Sequence, residues 1–252
     1  MRKLLLLLGV FLAGLSHAQV LWPTDQPEII TNLGLYTLAG ITSADLNNDG
    51  TDEIIFSSFY STTSRKIAIY NPVDGTTLEI GTSVNGGSFK FGDFDEDGYL
   101  DILFRAGAVT VYLSDDSKSF LAPGFYVGTQ LANSANSMAV GDYNNDNNLD
   151  IIVAYGTPHK WATFTGDGLG GFTETNIGLP ASWSASSTFT NSIELLDFNG
   201  DAKLDIVASG KSQPSPAKYG ITISLGDGAG GFTLASDYLT TQDEYANGPD
   251  YY

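Results

Sequence analysis

Four short stretches carry side-chain oxygens at one shared spacing. The fullest is Asp93-Phe94-Asp95-Glu96-Asp97-Gly98-Tyr99-Leu100-Asp101, with oxygens at positions one, three, five and nine and glycine at six. Such a segment curls so that its oxygens converge on one point. A hard cation such as Ca²⁺ takes about six to eight oxygens and needs no nitrogen or sulfur. The glycine allows the chain to turn with φ > 0 at no steric cost. The same pattern stands at Asp45 to Glu53, Asp142 to Asp150 and Asp197 to Asp205, with starts 48, 49 and 55 residues apart. Regular spacing of that size predicts a repeat architecture.

The elements that position these loops are short and apolar. A strand is expected to lead into each loop, at Ile41 to Ala44, Ser88 to Gly92, Ser137 to Gly141 and Ser192 to Leu196. A β-branched strand leaves it, at Ile54-Ile55-Phe56, Ile102-Leu103-Phe104, Ile151-Ile152-Val153 and Ile206-Val207-Ala208. Apolar runs this short, bounded by Gly, Asn and Asp, make strands rather than helices. A third strand is expected at Lys66 to Tyr70, Val109 to Leu113, Trp161 to Thr165 and Ile221 to Leu225. The glycine runs Gly166 to Gly171 and Gly226 to Gly231 then turn the chain into an outer strand, while Ser114 to Phe120 and Asp74-Gly75 are worn counterparts. A phosphate-binding reading of these runs needs a helix to follow, and the residues after them look extended.

Composition narrows the classes further. The chain has 29 acidic against 11 basic residues, and 15 of the acids lie in the four loops. That excess favours a cation, and opposes nucleic acid and anionic lipid. There is no cysteine, so the core, metal ions or both must hold the fold. The chain opens with Arg2-Lys3, an apolar run Leu4 to Leu15, and Ser16-His17-Ala18. This reads as a signal peptide over residues 1–18, too short to span a bilayer comfortably, with the rival reading of an uncleaved anchor. A secreted or cell-surface protein beginning near Gln19 is expected, with no membrane insertion after the signal is removed. Residues 19–40 then form a lead-in segment, within which Glu28-Ile29-Ile30 could be a short strand.

The hydrophobic-Gly-Asp-[Phe/Tyr]-[Asp/Asn]-x-Asp-Gly-x-x-Asp-Ile pattern, followed by Gly-Asp-Gly-x-Gly-Gly-Phe, resembles the FG-GAP or VCBS-type repeat of integrin α-subunits and many secreted bacterial proteins. The resemblance implies an all-β fold, a β-propeller of four-stranded blades. Four blades are visible, over about 41–86, 87–135, 136–190 and 191–252, where the family is usually seven-bladed. A fragment, closure by four blades, or two chains completing one another through open blade edges would each account for that count.

The resemblance also implies Ca²⁺ bound by side chains at positions one, three, five and nine and by the carbonyl at seven. In the first loop these are Asp45, Asn47, Asp49, Glu53 and the carbonyl of Thr51. In the second they are Asp93, Asp95, Asp97, Asp101 and the carbonyl of Tyr99. In the third they are Asp142, Asn144, Asp146, Asp150 and the carbonyl of Asn148. In the fourth they are Asp197, Asn199, Asp201, Asp205 and the carbonyl of Lys203. The second loop ranks as the tightest. The fourth ranks last, because Ala202 stands where glycine is preferred. Asn147 departs in the same way but enters the left-handed region more easily. Glu53 adds a methylene and could draw in Asp52. An EF-hand needs a bidentate Glu at position twelve and flanking helices; Phe56, Phe104, Val153 and Ala208 stand there.

The calcium is expected to be structural, and the molecule to be a recognition or adhesion module for a protein or glycan. The alternative is a carbohydrate-active enzyme, a lyase or hydrolase, or an accessory domain of one, since such chemistry needs paired carboxylates. The loop carboxylates are committed to the cation, and Asp115-Asp116 and Asp243-Glu244 read as solvated turns. His159 reads as an exposed turn residue without a sequence partner to orient it as a base. Trp161 reads as blade core and Trp183 as a surface-packed loop residue, with sugar stacking the competing role. No catalytic residue is assigned.

Overall fold

The computed structural model describes residues 37–61, 64–82, 87–114, 125–132, 134–156, 159–179, 189–212 and 218–241. Residues 1–18, read as a signal peptide from the sequence, lie outside the described residues, as do Glu28 to Ile30, Trp183, Asp115-Asp116 and Asp243-Glu244. Among the described residues, sixteen strands form four antiparallel sheets of four, each a simple meander. The first sheet holds β1 (Thr37–Ala44), β2 (Glu53–Ser61), β3 (Ser64–Tyr70) and β4 (Thr77–Thr82). The second holds β5 (Ser88–Gly92), β6 (Asp101–Ala106), β7 (Ala108–Ser114) and β8 (Phe125–Ala132). The third holds β9 (Ala135–Gly141), β10 (Asp150–Tyr155), β11 (Trp161–Gly166) and β12 (Phe172–Asn176). The fourth holds β13 (Phe189–Leu196), β14 (Asp205–Ser212), β15 (Lys218–Gly226) and β16 (Phe232–Thr241).

Each acidic loop joins the first strand of a sheet to the second, and its ninth residue opens that second strand. The expected third strands are present and slightly longer, and the turn between β6 and β7 is the single residue Gly107, with φ +87°. There is no helix among the described residues.

Period-two alternation sends the side chains of each second strand to opposite faces. Ile55, Leu103 and Ile152 point toward the following sheet, which we call the leading face. Ile102, Ile151 and Ile206 point back toward the preceding one. Three apolar cores lie between successive sheets. Ile55, Ile67 and Ile69 meet Ile102, Phe104 and Tyr112 in the first. Leu103, Val109 and Val111 meet Ile151, Val153 and Phe164 in the second. Ile152, Ala154 and Trp161 meet Ile193, Ile206 and Ala208 in the third. Trp161 is blade core, and its indole N–H donates to Thr190 Oγ1 at 2.8 Å. Burial of each Ile, Leu or Val is worth about 1.5–3 kcal/mol, so stacking supplies what no single sheet could.

Small residues set the spacing of the stack. A Cβ on Gly92 would lie 2.6 Å from Leu149 Cδ1, and one on Gly141 would lie 2.7 Å from Leu204 Cδ1. The leucine at position eight of one loop thus fills a notch left by the glycine that precedes the previous loop. On the first strands, Lys90 and Glu194 occupy the same register three residues before their loops, and their side chains pair at 3.0 Å. That ion pair links the second sheet to the fourth past buried Ala139, which holds the same register in the third. The three first strands therefore curve around a common side.

Candidate metal centre

Each loop is built from its own acids. The first aspartate accepts backbone N–H groups of positions five and six: Asp45 from Asp49 and Gly50, Asp93 from Asp97 and Gly98, Asp142 from Asp146 and Asn147, and Asp197 from Asp201 and Ala202, all at 2.8–3.1 Å, with Gly200 a third donor to Asp197 at 2.7 Å. The fifth-position carboxylate accepts the N–H of position seven, at Thr51, Tyr99, Asn148 and Lys203. These bonds force a left-handed backbone at position six: Gly50 at φ +85°, Gly98 at +89°, Asn147 at +71° and Ala202 at +66°. Position four is left-handed too, at Asn48, Glu96, Asn145 and Gly200. Sequence reasoning missed this second bend, although Asn or Gly at three of the four positions was its signal.

The ninth-position carboxylate does more than face the loop. Asp101 is buried; its Oδ2 accepts the Phe94 N–H and its Oδ1 the Ser114 N–H, both at 2.7 Å. Asp150 holds Tyr143 and Gly166, and Asp205 holds Phe198 and Gly226, in the same way. One carboxylate thus fastens the loop to the end of the third strand. Glu53 differs: Oε2 accepts the Leu46 N–H, but its longer side chain turns Oε1 to the Asn47 amide at 3.1 Å. Asp52 is exposed and accepts the Ser43 hydroxyl.

Burial, the dominant cause, pushes Glu53 and Asp101 up to about 7 and Asp150 up to about 6; backbone hydrogen bonds oppose it, and neighbouring loop carboxylates add to it. Asp95 is also raised, first by burial and then by Asp93.

Position three separates the second loop from the others. In the first, third and fourth loops an asparagine amide donates to the fifth-position carboxylate, at 3.2, 2.9 and 3.2 Å. These loops satisfy part of their own charge. The second loop has Asp95 at that position and so no amide to donate. Its Asp95 Oδ1 is buried without a hydrogen-bond partner. Carboxylate oxygens of Asp93, Asp95 and Asp101 lie within 4.8 Å of one another, the one such acidic group among the described residues. A buried Asp101 with half-buried Asp93 and Asp95 so close needs a counter-charge or a proton. A hard cation with oxygen preference fits this donor set.

The loops also touch across sheets. The Asn48 amide donates to the Gly98 carbonyl in the next loop, and the Gly170 N–H donates to the Phe94 carbonyl at 3.0 Å. The Phe94 ring meets Phe172 edge-on, with centroids 5.7 Å apart; Tyr143 and Phe232 repeat the pairing one sheet later at 5.7 Å. The phenylalanine after each glycine hairpin therefore covers the loop of the sheet before it.

His159 is half-buried rather than exposed, with Nδ1 enclosed. No helix among the described residues is long and apolar enough to cross a membrane.

Four-stranded meanders, stacked face to face and carrying an acidic loop between their first two strands, are blades of the β-propeller type. The profile of the FG-GAP-like repeat matches three overlapping spans, 45–104, 93–153 and 142–208. The chain belongs to the FG-GAP-like repeat family. No curated protein matches the chain.

Proposed function

We propose that the chain is an exported recognition module in which bound Ca²⁺ holds the loops and the blades present a surface to a protein or glycan ligand. The metal reading rests on one observation above the others: the second loop gathers Asp93, Asp95 and Asp101 around a buried, unpartnered carboxylate oxygen. Asp97 and the Tyr99 carbonyl would complete the ligand set there. The corresponding residues of the other three loops would hold further ions. In the first, third and fourth loops the position-three asparagine already offsets part of the charge, so the second loop gains most from an ion.

The cation's contribution is structural. It neutralises acids that face one another at the junction of two strands, and the ninth-position carboxylate carries that order to the third strand. An ion that binds only the folded chain stabilises it by about 2.7 kcal/mol at one hundred times its dissociation constant. Recognition is supported by the repeat family, which often serves protein recognition. Export is supported by the basic, apolar and small-residue order of residues 1–18.

Calorimetry with and without Ca²⁺ tests the metal reading. The melting temperature should rise on adding calcium and fall in excess chelator. Unchanged unfolding under both conditions would sink it. Protein and glycan arrays probed with and without Ca²⁺ test recognition; release of a cleaved glycan would instead mark an enzyme.

A further inference from the structure

The fourth loop differs from its counterparts at position four, and the difference is chemical. There Gly200 follows Asn199, whereas Asn48 and Asn145 follow Asn47 and Asn144, and the second loop has no asparagine at position three. An asparagine amide carbon and the next backbone nitrogen can close a five-membered ring. A side chain on the following residue crowds that closure, and glycine has none. The space beside Gly200 is open, since a Cβ there would meet nothing within 4 Å. Asn199 and Gly200 are also exposed to water, whereas Asn47 and Asn144 are half-buried.

The hydrogen bonds favour the same reaction. Asn199 Oδ1 accepts the Asp201 N–H at 2.8 Å, which polarises the amide toward attack at Cγ; the first and third loops share this bond. Among the described residues, only the Gly200 N–H also donates from position four to the first aspartate of its loop, reaching Asp197 Oδ1 at 2.7 Å. A carboxylate within hydrogen-bond reach can take the proton as the nitrogen attacks.

We infer that Asn199-Gly200 is a site of intramolecular deamidation. The Gly200 nitrogen attacks Asn199 Cγ, and its proton passes to Asp197. The new N–Cγ bond forms and the Cγ–Nδ2 bond breaks. Nδ2 leaves as ammonia, carrying the proton that Asp197 held. The succinimide then adds one water at either carbonyl and opens to aspartate or isoaspartate. The sum is one water consumed and one ammonia released, with no oxidant or reductant. Aspartate at this position gives the fourth loop acids at positions one, three, five and nine, a set that only the second loop holds at the outset. It also removes the amide that Asn199 donates to Asp201 at 3.2 Å. Isoaspartate instead lengthens the backbone within the bend that Asp197 organises. The fourth loop therefore changes as the chain ages, while the first and third keep their asparagines. The reaction does not depend on the metal reading.

Peptide mapping by mass spectrometry tests it, on the full chain incubated in chelator at mildly alkaline pH. The peptide carrying Asn199 should gain about one dalton, divided between aspartate and isoaspartate, at least tenfold faster than those carrying Asn47 and Asn144. Gly200→Asn installs the residue of the first and third loops and should slow the change at least tenfold, with far-UV circular dichroism retained. Asp197→Asn removes the proton acceptor and should slow it as well. The comparison of three asparagines within the wild-type chain needs no variant, so misfolding of a variant leaves the test standing. Equal rates at the three sites, an Asn199 still intact after several weeks, or aspartate formed without isoaspartate overturns the inference. So does a folded Gly200→Asn or Asp197→Asn chain that converts at the wild-type rate.

Discussion

Ala202 holds a left-handed backbone, φ +66°, where the first two loops use glycine. An L-residue there costs roughly 1–2 kcal/mol, and glycine returns part of that in unfolded-state entropy. Ala202→Gly should therefore stabilise the chain by about 1 kcal/mol, read as a rise in the urea midpoint at constant slope. Asp95 is the second decisive residue. Asparagine at this position would donate to Asp97, as Asn47, Asn144 and Asn199 do to their own partners. Asp95→Asn should then raise stability in chelator by about 1 kcal/mol and shrink the calcium-induced rise in melting temperature. If Asp95→Asn were destabilising in chelator and left the calcium response intact, the charge argument for the second loop would be wrong.

At the scale of the element, the ninth-position carboxylate joins three pieces of chain: the loop, the second strand and the third strand. Asp101→Asn keeps one acceptor oxygen but replaces the other with a donor. The N–H of either Phe94 or Ser114 then loses its partner in a buried setting. The cost should be about 1–3 kcal/mol in chelator, measured by denaturant unfolding. Hydrogen exchange should show the end of β7 opening before the rest of its sheet. Trp161 acts at the same scale, because it fills the core between the third and fourth sheets. Trp161→Ala should cost about 3–5 kcal/mol.

The whole molecule adds these loops into a dependence on pH. Burial raises Glu53 and Asp101 to about 7 and Asp150 to about 6, against about 4 in an unfolded chain. In that window the folded state binds more protons than the unfolded state, so stability falls as pH rises. In chelator the contribution is full below about pH 4 and is lost as pH climbs through about 6 to 7. Calcium favours the ionised carboxylates and should flatten that slope. Melting curves from pH 4.5 to 7.5 with and without calcium would check the sign; stability rising with pH in chelator would contradict it.

Much of this was present in the residue order. The spacing of oxygens fixed four loops, and short β-branched runs bounded by Asp, Asn and Gly marked the strands on either side, because both patterns are local. The worn glycine run of the second repeat and the bare Asp74-Gly75 left the bounds of β8 and β4 unmarked, although a four-stranded blade required both, since an outer strand such as β12, largely exposed along its length, needs little apolar patterning. The second left-handed bend at position four, the tie from Asp101 to Ser114, and the isolation of Asp95 Oδ1 could not be read from spacing. Each depends on where a distant N–H or a neighbouring sheet sits. Sequence alone determined what the loops are made of and how often they recur. Only the packed structure decided which carboxylates lack a partner, because burial is a property of neighbours rather than of residues.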